Sequence, residues 1–182
     1  MLAARRTLPP EERAAASRAI AERLGSLPAW TGARTVALYA AMGAEVETAE
    51  LVRRALSEGK RVVWPRLASP GPAMEFAACP AAGLVTGATR ALEPPSSAQT
   101  VPGREVDLIA VPGIAFDASG ARLGRGRGHY DATLSRLPRG AFRAGLAFET
   151  QVVAAVPCEP HDERLDVVVT EARVLLPGHG PG

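Results

Sequence analysis

The sequence predicts an α/β protein with a mostly parallel central sheet flanked by helices. Three observations carry that expectation. Short β-type runs alternate with helical segments, the order that builds right-handed strand–helix–strand crossovers. Residues 107–111 are almost wholly apolar after Asp107, as suits a parallel strand buried on both faces. The segments between are rich in turn formers, 18 Gly and 16 Pro in all, so long shaped loops are expected. At 182 residues, with 47% hydrophobic and 22% charged, the chain reads as one soluble globular domain over 1–182.

The elements follow in order. Pro9 and Pro10 suit a first helical turn, and Glu11 and Glu12 favour its positive end. Ala16, Ile20, Leu24 and Leu27 recur at helical spacing, so residues 9–25 are expected as an amphipathic helix. Residues 35–40 form a β run. Thr48 is placed to N-cap a helix over residues 49–57, closed by Gly59. A strand at 61–64 ends at Pro65, and 74–76 form another. Residues 77–105 read as loop with room for a short strand or turn. A loop over 112–128 follows the central strand and leads to a short helix at 130–137. Strands at 143–148 and 165–170 and an edge strand at 173–176 complete the sheet. Ligands of such sheets sit beyond the carboxyl ends of the strands, here after Ala40, Trp64, Val111 and Phe148.

Charge and cysteine usage exclude several classes. The formal net charge is +2, and Lys60 is the sole lysine among 21 basic residues. So small a charge offers no electrostatic case for nucleic acid. Cys79 and Cys158 fit no metal spacing and read as reduced thiols of a cytoplasmic protein. The first residues lack the apolar stretch of a signal peptide, and no run of about 18 apolar residues points to a membrane span.

The most informative stretch is Gly120-Ala-Arg-Leu-Gly-Arg-Gly-Arg-Gly-His-Tyr-Asp131. Glycines admit positive φ and close backbone approach, and successive N–H groups in such a loop can nest an anion. A helix starting near Tyr130 adds its positive end, and Arg122, Arg125 and Arg127 add charge. These parts describe a polyphosphate site. The Gly-Lys-[Ser/Thr] ending of a Walker loop is absent, and the spacing is not a dinucleotide fingerprint. A flexible surface loop brushing RNA is the competing reading, without an aromatic ladder to support it. Asp131 is either a partner for these arginines or a ligand for Mg²⁺ near phosphates. Asp162 and Asp166 flank the start of a strand, where one can face the site and the other can hold a structural contact. His161 among acids reads as structural. Glu45, just past a strand end, can face solvent or accept hydrogen bonds from a heterocycle.

Taken in order, these pieces resemble the 5-formyltetrahydrofolate cyclo-ligases, also called methenyltetrahydrofolate synthetases. The resemblance runs from Glu11-Glu-Arg13 through Tyr39 to Thr48, Gly59-Lys60, Pro65-Arg66, Met74-Glu-Phe76, Glu93-Pro94 and 107–113. Its most specific part is the string from Phe116 to Asp131. Gly145-Leu-Ala-Phe148 with Gln151, then His161-Asp162 with Leu165-Asp166, complete it. The resemblance implies a Rossmann-like sheet in a three-layer architecture. It implies ATP-dependent conversion of 5-formyltetrahydrofolate to 5,10-methenyltetrahydrofolate with release of ADP and phosphate. It puts ATP on Arg122, Leu123, Gly124, Arg125, Gly126, Arg127, Gly128, His129 and Tyr130. It puts the folate on Ala40, Glu45, Arg125, Gly126, Arg127, Gly128 and His129, with Arg125 and Arg127 catalytic. Mg²⁺ falls to Asp131 and Asp162. The expected partners are these small molecules alone, bound by a monomer, without nucleic acid or membrane. A paralogue with another substrate, or a member that binds nucleotide or folate without catalysis, remains the alternative.

Two departures stand out. His129 occupies a position where the family commonly has a second Tyr. The family also tends to carry a Lys/Arg-rich segment before the first helix that contributes to ATP binding. Here Met1 stands eight residues before Pro9, so a shortened start is expected, or Arg5 or Arg6 as substitutes.

Overall fold

The computed structural model describes residues 8–67, 71–159 and 161–178; Arg5 and Arg6 lie outside them. Helices α1 (Pro10–Gly25) and α2 (Pro28–Gly32) precede β1 (Thr35–Ala37), α3 (Ala49–Ser57), β2 (Arg61–Leu67) and β3 (Met74–Ala78). A small hairpin, β4 (Val85–Thr86) and β5 (Leu92–Glu93), leads to β6 (Gln99–Val101) and β7 (Leu108–Val111). A second hairpin, β8 (Ala115–Phe116) and β9 (Arg122–Leu123), leads to α4 (His129–Leu134). Strands β10 (Phe142–Leu146), β11 (Val167–Val169) and β12 (Val174–Leu175) follow.

The main sheet has eight strands in the order β12-β11-β10-β7-β1-β2-β3-β6. From β11 to β2 the neighbours run parallel, while β12, β3 and β6 pair antiparallel at the two edges. All four residues of β7 are buried, as its apolar run requires. Alternation divides them between two cores. Leu108 and Ala110 pack with Ile20, Leu24, Trp30 and Leu51 of the α1–α3 layer. Ile109 and Val111 pack with Phe116, Leu134 and Leu137 on the α4 side. The result is the three-layer, mostly parallel α/β architecture that the sequence predicts.

Two aspartates set the strand starts. Asp107 Oδ2 accepts from the backbone N–H groups of Arg34 and Thr35, both at 2.8 Å, tying β7 to β1. Asp166 Oδ2 accepts from Arg143 N at 2.7 Å, tying β11 to β10. Asp166 is therefore the structural member of the pair around β11. Lys60 is structural too: its ammonium donates to the carbonyls of Trp30 and Ala33, both at 2.9 Å.

Several boundaries differ from expectation for local reasons. Strand β2 continues through Pro65, because the last pairing with β1 is Ala37↔Val63 and the missing N–H beyond it removes no bond to β1. Thr48 flanks α3 without capping it; its hydroxyl donates instead to Tyr39 O at 2.6 Å. Helix α4 stops at Leu134, whose carbonyl accepts from Arg143 Nη2 at 3.1 Å, and Pro138 disfavours continuation. The expected loop over 112–128 contains the β8–β9 hairpin.

That hairpin is organised by Asp117, which is 5% exposed. Its Oδ1 accepts from Ser119 N at 2.9 Å, Ala121 N at 3.2 Å and the Ser119 hydroxyl, and its Oδ2 from Val156 N at 2.7 Å. Burial pushes this carboxyl's pKa up, but the donors, led by the Ser119 hydroxyl, outweigh it and hold the value below the usual range. A lowered folded pKa contributes stability that is complete above the unfolded value, about 3.9, and is lost as pH falls through the folded one. Urea unfolding between pH 2 and 5 should therefore show a steeper acid loss for the wild type than for Asp117→Asn. Parallel acid limbs would remove Asp117 from the account of acid stability.

Candidate active site

Strand β1 lies between β7 and β2. The chain leaves β1 toward β2 on one side and returns as β7 on the other, so a crevice opens beyond the ends of β1 and β7. Two loops form its walls: residues 38–48 after β1, and 112–128 after β7.

The first wall is stitched down at several points. The Tyr39 hydroxyl donates to Val46 O at 3.0 Å, and Glu47 N donates to Ser17 Oγ of α1 at 3.0 Å. Gly43 takes φ +60°, in the left-handed region that glycine enters without strain. This folding turns Glu45 inward, where its Oε2 accepts from Met42 N at 2.9 Å and the residue is only 8% exposed. Ala40 is half-buried against the core of the same wall.

The second wall is held by Gln151, whose amide nitrogen donates to Gly113 O at 2.9 Å and Ile114 O at 3.1 Å while its oxygen accepts from Phe148 N at 3.0 Å. At Gly120, φ is +78° and a Cβ would lie 2.4 Å from Leu165 O, so only glycine fits. Arg122 then turns back beneath the loop. Its Nη2 meets both carboxylate oxygens of Asp131, at 3.1 and 3.0 Å, and its guanidinium stands 5.5 Å from the Tyr130 ring centre. The Arg122 side chain is 4% exposed. Gly124 packs over it, since a Cβ there would lie 2.6 Å from Arg122 Nη1.

The remaining motif residues point elsewhere. Arg125 crosses the crevice, with Nη2 2.7 Å from Glu45 Oε1 and Nη1 3.8 Å from Met42 Sδ. Leu123 and Arg127 are exposed, and Arg127 has no side-chain partner among the described residues. Gly126 and Gly128 take φ +78° and +64°. His129 Nδ1 lies 2.7 Å from Pro72 O. A carbonyl only accepts, so the proton sits on Nδ1, and Nε2 is buried without a partner among the described residues. Burial pushes the Tyr130 phenol pKa far up; the nearby Glu45 charge adds to this and Arg122 partly opposes it, so the hydroxyl stays protonated.

The acidic cluster approaches from β11. Glu163 N lies 3.4 Å from Asp131 Oδ1, which brings the segment before β11 to the end of the loop. Asp162 Oδ2 accepts from Glu159 N at 2.7 Å. His161 is an exposed surface residue, with Nε2 3.4 Å from Glu159 Oε2. Thus the site gathers Glu45, the arginine loop, Asp131 and the 161–163 segment. Met42, through its N–H and its sulfur, and Pro72, through its carbonyl, join it, and no side-chain pattern in the sequence reveals them.

The model of the 5-formyltetrahydrofolate cyclo-ligase family matches residues 1–171. The chain belongs to that family. It is 33% identical over 174 residues to the 5-formyltetrahydrofolate cyclo-ligase of Escherichia coli K12, covering 93% of this chain and 96% of that one. To the cyclo-ligase of Mycolicibacterium smegmatis it is 32% identical over 184 residues, covering 97% and 92%. The solution structure of 5,10-methenyltetrahydrofolate synthetase from Aquifex aeolicus superposes with a TM-score of 0.84 at 35% identity, covering 100% of this chain and 91% of that one.

The buried Arg122–Asp131 pair should dominate the loop's stability. Arg122→Ala leaves a carboxylate without its cation and should cost about 3 kcal/mol, read by urea unfolding. Removing both in Arg122→Ala/Asp131→Ala should cost less than the sum of the single changes. Additive losses would show that the two groups do not act as a unit.

Proposed function

We propose that this protein is a cytoplasmic, monomeric 5-formyltetrahydrofolate cyclo-ligase that uses ATP to form 5,10-methenyltetrahydrofolate, ADP and phosphate. The observation that carries the reading is the placement of the Gly120–Asp131 motif at the crevice between β1 and β7, facing Glu45. Family membership supplies the reaction class. Free Cys79 and Cys158 accord with a reducing compartment, and among the described residues no helix is long and apolar enough to cross a membrane.

The chemistry needs charge and positioning more than a protein nucleophile. The formyl oxygen attacks the γ-phosphorus, the bond to the bridging oxygen breaks, and ADP leaves. N10 then attacks the activated formyl carbon, phosphate departs with the oxygen, and the N10 proton is lost as the ring closes. Such transfers rely on alignment and on neutralising the equatorial oxygens. Arg127, exposed and free of partners among the described residues, and Arg125, half-exposed, meet the phosphates. The loop glycines at 124, 126 and 128 let backbone N–H groups approach them. Leu123, His129 and Tyr130 border the nucleotide, while Glu45 and Ala40 take the pterin, Glu45 accepting from its ring N–H groups.

Arg122 holds the loop and Asp131 rather than reaching the ligand first, because its Nη2 is committed to that carboxylate. Asp131 and Asp162 fit a Mg²⁺ that draws most of its ligands from phosphate and water. Both are hard oxygen donors, but Asp131 meets Arg122 through both oxygens, and among the described residues no three His, Cys, Asp or Glu gather as a metal cage, so phosphate and water would supply most of the ion's ligands. When bound, the ion would neutralise charge on the transferring phosphoryl group.

The deciding assay follows methenyltetrahydrofolate absorbance after mixing the protein with 5-formyltetrahydrofolate, ATP and Mg²⁺. Growth is expected, and its absence with either ligand still bound would leave a binding protein or a paralogue. Arg127→Ala should lower kcat/KM for ATP by a factor of about ten to a hundred, the worth of a charge-assisted contact, with stability changed by less than about 0.5 kcal/mol. Unchanged ATP kinetics would remove Arg127 from the mechanism.

A further inference from the structure

The Arg125–Glu45 ion pair spans 80 positions of sequence and joins the two walls of the crevice at 2.7 Å. We propose that this pair is a clasp exchanged on substrate binding, so that Glu45 couples the folate to the nucleotide. The inference rests on the reading of the site given above.

The environments of the two partners are unequal. The Glu45 side chain is 9% exposed, with Oε1 on Arg125 and Oε2 on Met42 N. The Arg125 side chain is 49% exposed and has no other charged partner among the described residues. Glu45 is thus fixed and Arg125 is the arm that can leave. Next to the arm, Gly126 takes φ +78°, and a Cβ built there meets nothing within 4 Å, so no neighbouring group packs over the backbone beside Arg125. Arg127 needs no release.

This arrangement penalises one order of binding. A nucleotide arriving alone can recruit Arg125 only by stripping a buried carboxylate of its cation and placing phosphates beside it. An amino-pyrimidinone edge arriving at Glu45 brings its own N–H donors, which replace the guanidinium and free Arg125. Folate therefore tightens nucleotide binding, and by linkage the nucleotide tightens folate binding by the same factor.

Calorimetry on the full chain tests this, with 5-formyltetrahydrofolate and a non-hydrolysable ATP analogue, singly and together. Wild type should bind the analogue about two- to five-fold more tightly with folate present, the range for a partly exposed ion pair. Glu45→Asp keeps the charge but withdraws it from Arg125. It should bind the analogue alone more tightly than wild type by the same factor, and show no coupling. In an Arg125→Ala background the Glu45→Asp change should leave analogue binding unaltered. The clasp is overturned if wild type binds the two ligands independently, or if Glu45→Asp binds the analogue as wild type does. Turnover of 5-formyltetrahydrofolate by wild type with either of those results would leave the proposed function standing. Neither ligand binding and no methenyl product would remove both.

Discussion

Strand β1 is three residues long, yet the site depends on what flanks it. Its neighbours are β2, which follows it in sequence, and β7, which arrives from the far side after β3 and β6. Both faces of this central sheet are covered, so its strands are apolar and their polar chemistry is confined to their ends. Only where neighbouring connections diverge does a crevice open. Asp107, bonded to Arg34 N and Thr35 N where β1 begins, ties the starts of the two strands together below both walls.

Three arginines from one short motif end in three environments. Arg122 is buried and neutralises Asp131, Arg125 is half-exposed and crosses to Glu45, and Arg127 stands free among the described residues. A guanidinium that braces a loop and one that meets a ligand have opposite requirements. The first must be desolvated and held by its carboxylate, as Arg122 is through Nη2 although its Nε is buried without a partner among the described residues; the second must be solvated or weakly held until the ligand comes. Gly126, at positive φ, turns the chain between Arg125 and Arg127, while Gly120 and Gly128 turn it before and after the three arginines.

His129 and Tyr130, neighbours in sequence, take unlike surroundings. The imidazole spends Nδ1 on Pro72 O, bridging α4 to the turn before β3, and keeps Nε2 as a buried polar atom. Tyr130 keeps its proton and packs its ring beside the Arg122 guanidinium. The neighbouring positions thus divide into one that joins elements and one that supports the buried cation.

The fold class was legible because its signals are local and repeated: apolar runs at 107–111 and 167–169, helical spacing over Ala16, Ile20 and Leu24, and ligand-prone segments after each strand. The Gly120–Asp131 motif was likewise legible as a glycine- and arginine-rich loop, the feature on which the proposed phosphate site rests. The path of β2 through Pro65 was not legible, since a missing N–H matters only where a neighbouring strand would use it. The hairpin around Asp117 was not legible either, because its donors include Val156 N from a distant turn. Residue types alone could not show that Asp131 lies on Arg122, nor that Glu45 is a buried acceptor rather than a surface acid. Those assignments are set by distance and desolvation between segments far apart in the chain. The sequence by itself determined which groups are present and on which loops; the tertiary structure decided which of them are buried against each other, because burial is what turns a nearby charge into a committed partner.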